Sequence, residues 1–401
     1  MIELLAPAGD MECVSAAIRY GADAVYLGGP MMQLRSDKSG FSIENLQKAC
    51  DFIHSHHKKL YVTVNCFAKN SEIEPVGEYA RALYDLGVDA VIVSDIGAIL
   101  SIKRHAPDLE VHVSTQANCQ NYATAEAYYN MGAKRVVLAR EMTLEEIVEL
   151  RAKTPKDLEL EAFVHGAMCM SYSGRCLISS YLNNRSGNRG ECTQPCRWKY
   201  YLMEEKRPGV YLPVYEDEKG SAILSSHDMC CIDFLDEIAA AGVNSFKIEG
   251  RMKTAYYVAT VVNAYRRRMD GTSTVEYCRD ELECVTHRPY SSGFYYGYEK
   301  QNTNNHGEYI KNCTFVGTVL DCADGYITVQ QRNNFKVGQR IEILSPNREA
   351  VPIELSEIIN EDGESVPAAP HPMMIVKLRC DVKCEKGDIL RRKEDGFWEK
   401  D

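Results

Sequence analysis

Four cysteines stand on a stretch of chain with almost no hydrophobic periodicity. Between Glu161 and Cys196 the sequence reads EAFVHGAMCMSYSGRCLISSYLNNRSGNRGECTQPC, with Cys169, Cys176, Cys192 and Cys196 spaced C-x6-C-x15-C-x3-C. A packed element would repeat its apolar residues with a period of 2 or 3.6, and the Gly, Ser, Asn and Arg between these thiols do neither. Thiols grouped on an irregular loop point to a metal centre rather than to core packing. Zinc sites usually pair cysteines two to four residues apart, which suits Cys192 and Cys196 but not Cys169 and Cys176. An iron–sulfur core sets its own geometry and accepts wider spacing. A 4Fe–4S cluster is therefore the first expectation, zinc the second and unligated thiols the third. Cys230 keeps the ligand set open. A helix is expected over 228–241, its first-turn dipole would favour a Cys230 thiolate, and this thiol could replace Cys192 or Cys196.

Such a loop needs a frame, and the rest of the chain supplies one. Four passages, at 21–25, 87–91, 132–136 and 242–246, each set a glycine after a helical pattern and before a short apolar run. A glycine closing a helix ahead of a strand is the junction of a βα repeat. Strand-like runs without that glycine lie at 2–5, 60–64, 109–113 and 158–164. Together they give eight strands, starting near residues 2, 24, 60, 90, 110, 135, 159 and 245, with the eighth helix over 254–270. The alternation predicts a closed (β/α)8, TIM-like barrel over 1–271. The cysteine stretch then belongs to one long excursion after strand 7, spanning 165–227 and carrying a β-hairpin within 199–226. Residues 272–305, polar and aromatic without a long helix, are expected to be a linker packing on the barrel. Short apolar runs punctuated by glycine over 306–401 predict a small antiparallel β-barrel or sandwich domain.

At 401 residues, 45% hydrophobic and 26% charged, the composition is that of a globular protein. No apolar run reaches the roughly 18 residues of a membrane span. Met1 leads directly into IELLAPAGD, a strand and its turn rather than a signal peptide, so a cytoplasmic chain with its 16 cysteines reduced is expected. The formal charge of −11 argues against wholesale electrostatic binding of nucleic acid while leaving room for a local basic groove. In a barrel the strands' C-terminal ends share one mouth. That mouth would gather Asn65, Gln116, Arg140, Glu141, His165, Glu249, Arg251 and Lys253, with Arg185, Arg189, Arg197 and Lys199 as a positive rim. Asp10, Asp95 and Thr143 suit helix N-caps equally well.

The cysteine stretch resembles peptidase family U32, the collagenase-like protease family. Its signature is met by Glu161, Phe163, Gly166, Ala167, Met168, Cys169, Gly174, Cys176, Ile178 and Ser179. The passages LLAPAGD, VSTQAN at 113–118 and KIEGRMK at 247–253 are similar to the family as well. The resemblance covers nearly the whole chain. A peptidase would need machinery that the sequence lacks: there is no H-E-x-x-H and no G-x-S-x-G, and thiols grouped as ligands make poor partners for His165. Better understood branches of the family resemble oxygen-independent hydroxylases that carry an iron–sulfur cluster and act on tRNA, rRNA or a quinone precursor. The passage CRWKYYLMEEKRPG at 196–209 and the added β-domain look most like the tRNA branch. That resemblance implies 5-hydroxyuridine formation at the wobble position, prephenate as hydroxyl source, the tRNA anticodon region as partner, an unidentified electron donor and no membrane. At the expected mouth, Asn65, Gln116, His165 and Glu249 are the catalytic candidates for such chemistry, and Arg140, Arg251, Lys253 and Tyr172 the substrate-binding ones. A flipped pyrimidine would take Asn65, Gln116, Tyr172 or Tyr181, and Arg340, Arg348, Arg391, Arg392 and Lys393 would grip RNA. The alternatives are an rRNA cytidine hydroxylase, a collagenase-like peptidase, and a non-enzymatic iron–sulfur or RNA-binding accessory protein.

Overall fold

The computed structural model describes residues 2–34, 40–169, 171–183, 185–198, 201–203, 211–213, 227–297 and 309–394. Lys199 and the side chains of Tyr181 and Arg197 lie outside the described residues. The chain forms two compact units that interleave in sequence. One comprises Met1–Val14, Ala22–Lys253 and His287–Tyr309, and the other Ser15–Gly21, Thr254–Thr286 and Ile310–Asp401.

In the first unit β1(Glu3–Pro7), β2(Ala24–Gly28), β3(Lys59–Val64), β4(Ala90–Val93), β5(Glu110–Val113), β6(Arg135–Val137) and β7(Glu159–Ala167) pair in parallel, each with the next. The hairpin β8(Tyr201–Met203)–β9(Tyr211–Pro213) and the short β10(Asp228–Cys230) follow. Then β11(Ser245–Ile248) pairs with both β7 and β1 and closes an eight-stranded parallel barrel. Between the strands run α1(Met11–Arg19), α2(Ile43–Ser55), α3(Ile73–Asp85), α4(Ile96–His105), α5(Tyr122–Asn130), α6(Leu144–Lys153), α7(Ile178–Asn183) and α8(Leu235–Ala240). The strands are buried on both faces, as parallel strands under helices must be, which is why β2 reads AVYLG with every residue buried. Asp95 and Thr143 cap α4 and α6, and the Asp10 carboxylate accepts the Cys13 N–H. These polar strand-end residues fasten helix starts.

The barrel interior is not wholly apolar. Leu5, Ala24, Tyr26, Tyr61, Ala90 and Ile92 form one cluster. Beside it, Arg135 donates to Glu3 at 2.5 Å and to Glu161 at 2.8 Å, and lies 2.7 Å from Glu159. Lys247 meets Glu161 at 2.6 Å, and the Tyr61 hydroxyl donates to Glu3 at 2.7 Å. These side chains come from β1, β3, β6, β7 and β11 and can meet only across the bore. Burial would raise the Glu161 carboxyl, but the charges of Lys247 and Arg135 outweigh it and hold the group down to about 2.

The expected helix over 228–241 is shorter than its pattern suggests. Residues Asp228–Cys230 are strand β10, antiparallel to the end of β7, with Asp228 opposite Ala167 and Cys230 opposite His165. Asp228 caps no helix, because its carboxylate is taken by the guanidinium of Arg288 at 2.7 Å. Cys230 is therefore in a strand, and no helix dipole acts on it. A further strand, β12(Tyr290–Ser291), pairs with β10. Among the described residues no helix is long and apolar enough to cross a membrane.

The second unit holds α9(Ala255–Asp270), capped by Thr254, and α10(Val275–Glu283), capped by Thr274. The second helix falls where the sequence suggests only a linker. Its buried face, Cys278, Glu281 and Leu282, is too short a repeat to stand out from its polar neighbours. The strands are β13(Cys313–Ala323), β14(Tyr326–Gln331), β15(Phe335–Lys336), β16(Arg340–Leu344), β17(Val351–Glu354), β18(Ile358–Ile359), β19(Ala368–Ala369), β20(Ile375–Arg379) and β21(Ile389–Lys393). Seven of them form an antiparallel sheet in the order β17-β16-β21-β13-β14-β20-β18, curled as a half-barrel. Val316, Val319, Ile327, Ile341, Val376, Leu378 and Leu390 belong to its apolar core. Arg391, expected to grip RNA, instead points into this unit. It is fully buried and bonded to Glu281 at 2.5 Å and Glu342 at 2.7 Å, while Lys393 lies 3.2 Å from Glu342.

Candidate active site

A cavity of about 220 Å³ opens at the C-terminal ends of the barrel strands. Its wall carries Cys169, Cys176, Cys192 and Cys196, together with Asn65, Gln116, Arg140, Tyr172, Glu249, Arg251 and Lys253. Of the catalytic, substrate-binding and first-choice ligand candidates, His165 alone is not in that wall, and among the described residues no histidine lines the cavity. The cysteines are free thiols, exposed or half-buried. Four accessible thiols on one cavity are a donor set that fits an iron–sulfur cluster or zinc. They line the wall without meeting at one point: among the described residues no three His, Cys, Asp or Glu side chains converge on a common ion position. Cys230 does not line the cavity.

The irregular loop is held by specific contacts. Gly166 sits at φ +105°, and any Cβ there would press on the Glu249 carbonyl. Gly174, at φ +71°, passes so close over β5's end that a side chain would collide with the Gln116 carbonyl oxygen. Only glycine meets both demands at these two positions. Ser173 donates through its N–H to Glu141 at 2.8 Å, and Arg189 donates to the Phe67 carbonyl at 2.6 Å and to Glu72 at 2.7 Å. The Ser179 hydroxyl accepts the Thr193 N–H at 3.0 Å and so ties the Cys176 side of the loop to the Cys192 side. Arg288, 2% exposed, reaches the Met168 carbonyl at 3.5 Å, the His227 carbonyl at 3.3 Å and Asp228 at 2.7 Å. It joins the outgoing and returning ends of the excursion. Arg288 gives no local signal in the sequence, since its partners are about 60 and 120 residues away.

Arg140 is fixed from three sides. It donates to the Ala167 carbonyl at 2.7 Å, lies 3.4 Å from Glu249, and its guanidinium stands 3.7 Å from the centre of the Phe163 ring. Arg251 is buried and bonded to Thr63, Gln33 and the Leu34 carbonyl, and Arg189 is spent on Glu72. The expected positive rim is thus partly internal scaffolding. His165 is 1% exposed, its ring centre 5.4 Å from that of Tyr290, and burial pushes its imidazole down to about 3. The cavity also has a member that strand-end reasoning passes over. Lys247 lines it from within β11, paired to Glu161, with its ammonium 4.4 Å from the centre of the Tyr26 ring. Burial lowers the Lys247 pKa. The period of two from Glu249 back to Lys247 is the signal that places both on one face.

Comparison with known proteins bears on this site directly. Residues 9–305 match peptidase family U32, and residues 311–391 match the peptidase family U32 C-terminal domain. The chain is 38% identical over 406 residues to tRNA hydroxylation protein P1 of Bacillus subtilis (strain 168), covering 97% of this chain and 94% of that protein. It is 36% identical over 420 residues to tRNA hydroxylation protein P of Escherichia coli (strain K12), covering 92% and 91%. It is also 38% identical over 270 residues to the 23S rRNA 5-hydroxycytidine C2501 synthase of Escherichia coli (strain K12), covering 67% of this chain and 39% of that protein. With both of its units matched, the chain belongs to peptidase family U32.

Proposed function

We propose that this chain hydroxylates RNA, and that its substrate is the wobble uridine of tRNA, converted to 5-hydroxyuridine with prephenate as hydroxyl source. The observation that carries the reading is the sharing of one cavity by four loop thiols, Asn65 and Gln116 at the strand ends, and the Arg140–Glu249 pair. The tRNA proteins match over nine-tenths of both chains and the rRNA enzyme over 39% of its length, which favours tRNA over rRNA. Among the described residues no histidine stands in the cavity wall beside the thiols, which gives a peptidase reading no support there.

Cys169, Cys176, Cys192 and Cys196 would hold a 4Fe–4S cluster, which supplies one-electron and Lewis-acid chemistry at the cavity wall. Asn65 and Gln116 offer amides to the edge of an extruded pyrimidine, and the half-exposed Tyr172 offers a ring face for stacking. Arg140, already oriented by Ala167 and Phe163, presents its guanidinium to a carboxylate of the dicarboxylate co-substrate, with Lys253 on the same wall. Glu249, beside Arg140, is the carboxylate placed to accept the proton that the uridine C5 gives up. The pinned cysteine loop forms part of the cavity wall and leaves less room for water around these groups.

Two measurements test the proposal. Nucleoside mass spectrometry of cells lacking this chain should show tRNA 5-hydroxyuridine lost; unchanged tRNA with loss of hydroxylated cytidine in rRNA would overturn the substrate assignment. Anaerobically purified protein should hold iron and acid-labile sulfide, with each of Cys169→Ala, Cys176→Ala, Cys192→Ala and Cys196→Ala depleted and Cys230→Ala not. Colourless protein with one zinc per chain would exclude the cluster.

A further inference from the structure

The second unit carries a thiol pair that the proposed reaction does not use. Cys380 follows β20, where its N–H donates to the Gly325 carbonyl at 2.9 Å, and Cys384 lies in the loop leading to β21. Their sulfur atoms are 3.8 Å apart. Both thiols also approach one backbone oxygen, that of Val382, at 3.5 Å from Cys380 and 3.2 Å from Cys384. Cys380 packs in the core of the unit, and Cys384 is half-buried at its edge, so the pair has one sheltered and one more open member.

We propose that Cys380 and Cys384 form a thiol–disulfide exchange site, oxidised by small disulfides of the glutathione type. Two sulfurs already in contact need to close by rather less than 2 Å to reach the roughly 2.05 Å of a disulfide bond, and the loop between them holds only three residues. The two thiols are not equivalent. Contact with Cys384 holds Cys380 down to about 7 against the effect of burial, and the same contact pushes Cys384 up. The contact leaves one sulfur of the pair able to attack as thiolate near neutral pH and the other to resolve. In the first step that thiolate attacks the small disulfide, a protein–S–S–R bond forms, the R–S–S–R bond breaks and one small thiolate leaves. In the second, the other thiol of the pair passes its proton to that thiolate and attacks the protein sulfur of the mixed disulfide, forming the intramolecular bond and expelling the second small thiol. Two protein thiols are oxidised and one small disulfide is reduced to two thiols.

The test uses full-length protein equilibrated with mixtures of reduced and oxidised glutathione, quenched with iodoacetamide and mapped by peptide mass spectrometry. A peptide joining Cys380 to Cys384, lacking two hydrogens and unalkylated, is expected to accumulate as the oxidised fraction rises. At least one of Cys384→Ser and Cys380→Ser should instead retain a glutathione adduct on its remaining thiol. Complete alkylation of both residues at every mixture would overturn the proposal, as would the absence of adduct from both variants. Protection of both thiols by one equivalent of zinc, without any disulfide, would replace exchange with metal binding. The wild-type mapping decides without relying on the variants' folding.

Discussion

Two buried titratable groups of the barrel, on the same strand, set opposite demands on the proton. Glu161 is held charged near pKa 2 by Lys247 and Arg135, while burial keeps His165 neutral down to about 3. Both groups have folded values below their ordinary ones, 4.5 for the carboxyl and 6.5 for the imidazole. In each case the unfolded chain takes the proton first as pH falls, so acid favours unfolding. The His165 contribution is complete above pH 6.5 and is lost between there and about 3; that of Glu161 is complete above 4.5 and is lost towards 2. Comparing urea unfolding of wild type and His165→Gln from pH 7 to pH 5 should therefore show wild type losing about 2 kcal/mol more than the variant. Parallel curves would mean that His165 titrates in the folded protein. Neither residue could be assigned this way from sequence. Glu161 sits in LELEAFV on the same face as Glu159, with nothing local to say that this face turns into the bore, and His165 reads as a strand-end catalyst until β10 is seen paired alongside it.

At the scale of elements, the eight barrel strands were legible because each has its own local punctuation, a glycine stopping a helix or an apolar run of four to seven residues. The observed starts at Glu3, Ala24, Lys59, Ala90, Glu110, Arg135, Glu159 and Ser245 fall within one residue of the pattern. The β10 strand was not legible. MCCIDFLDEIAA has helical spacing, but the first residues satisfy their backbone groups against β7, and only a long-range pairing decides this. The same limit hides Arg288, which fastens both ends of the cysteine excursion. Arg288→Ala should cost about 3–5 kcal/mol in chemical unfolding by leaving Asp228 buried without its counter-ion. It should also speed alkylation of Cys169 in apo protein. Asp228→Asn keeps the guanidinium and its contacts with the Met168 and His227 carbonyls, so it should cost less and leave Cys169 alkylation unchanged. Equal alkylation rates in all three proteins would mean that the loop is placed without this arginine.

For the whole molecule, net charge and the fate of its arginines point the same way. The chain carries −11 overall, and Arg135, Arg251, Arg288 and Arg391 are all buried in internal pairs. These four guanidiniums are held inside and do not meet phosphates. If tRNA is held mainly at the cavity, its binding should weaken only modestly with salt, with a log–log slope no steeper than about −3 between 50 and 200 mM. A slope near −6 in filter binding would mean that a basic surface carries much of the affinity. The cavity has a floor with a property of its own. From Lys247 the contacts run to Glu161 at 2.6 Å, on to the Ser245 hydroxyl at 3.2 Å, to Glu3 at 3.0 Å and to Tyr61 at 2.7 Å, ending where the Glu3 side chain is 15% exposed. Polar side chains thus link the cavity to the opposite end of the barrel. The floor is held by shared charge rather than by apolar packing, so a change at Glu3, at the far end of the bore, reaches Lys247 through the partners they have in common.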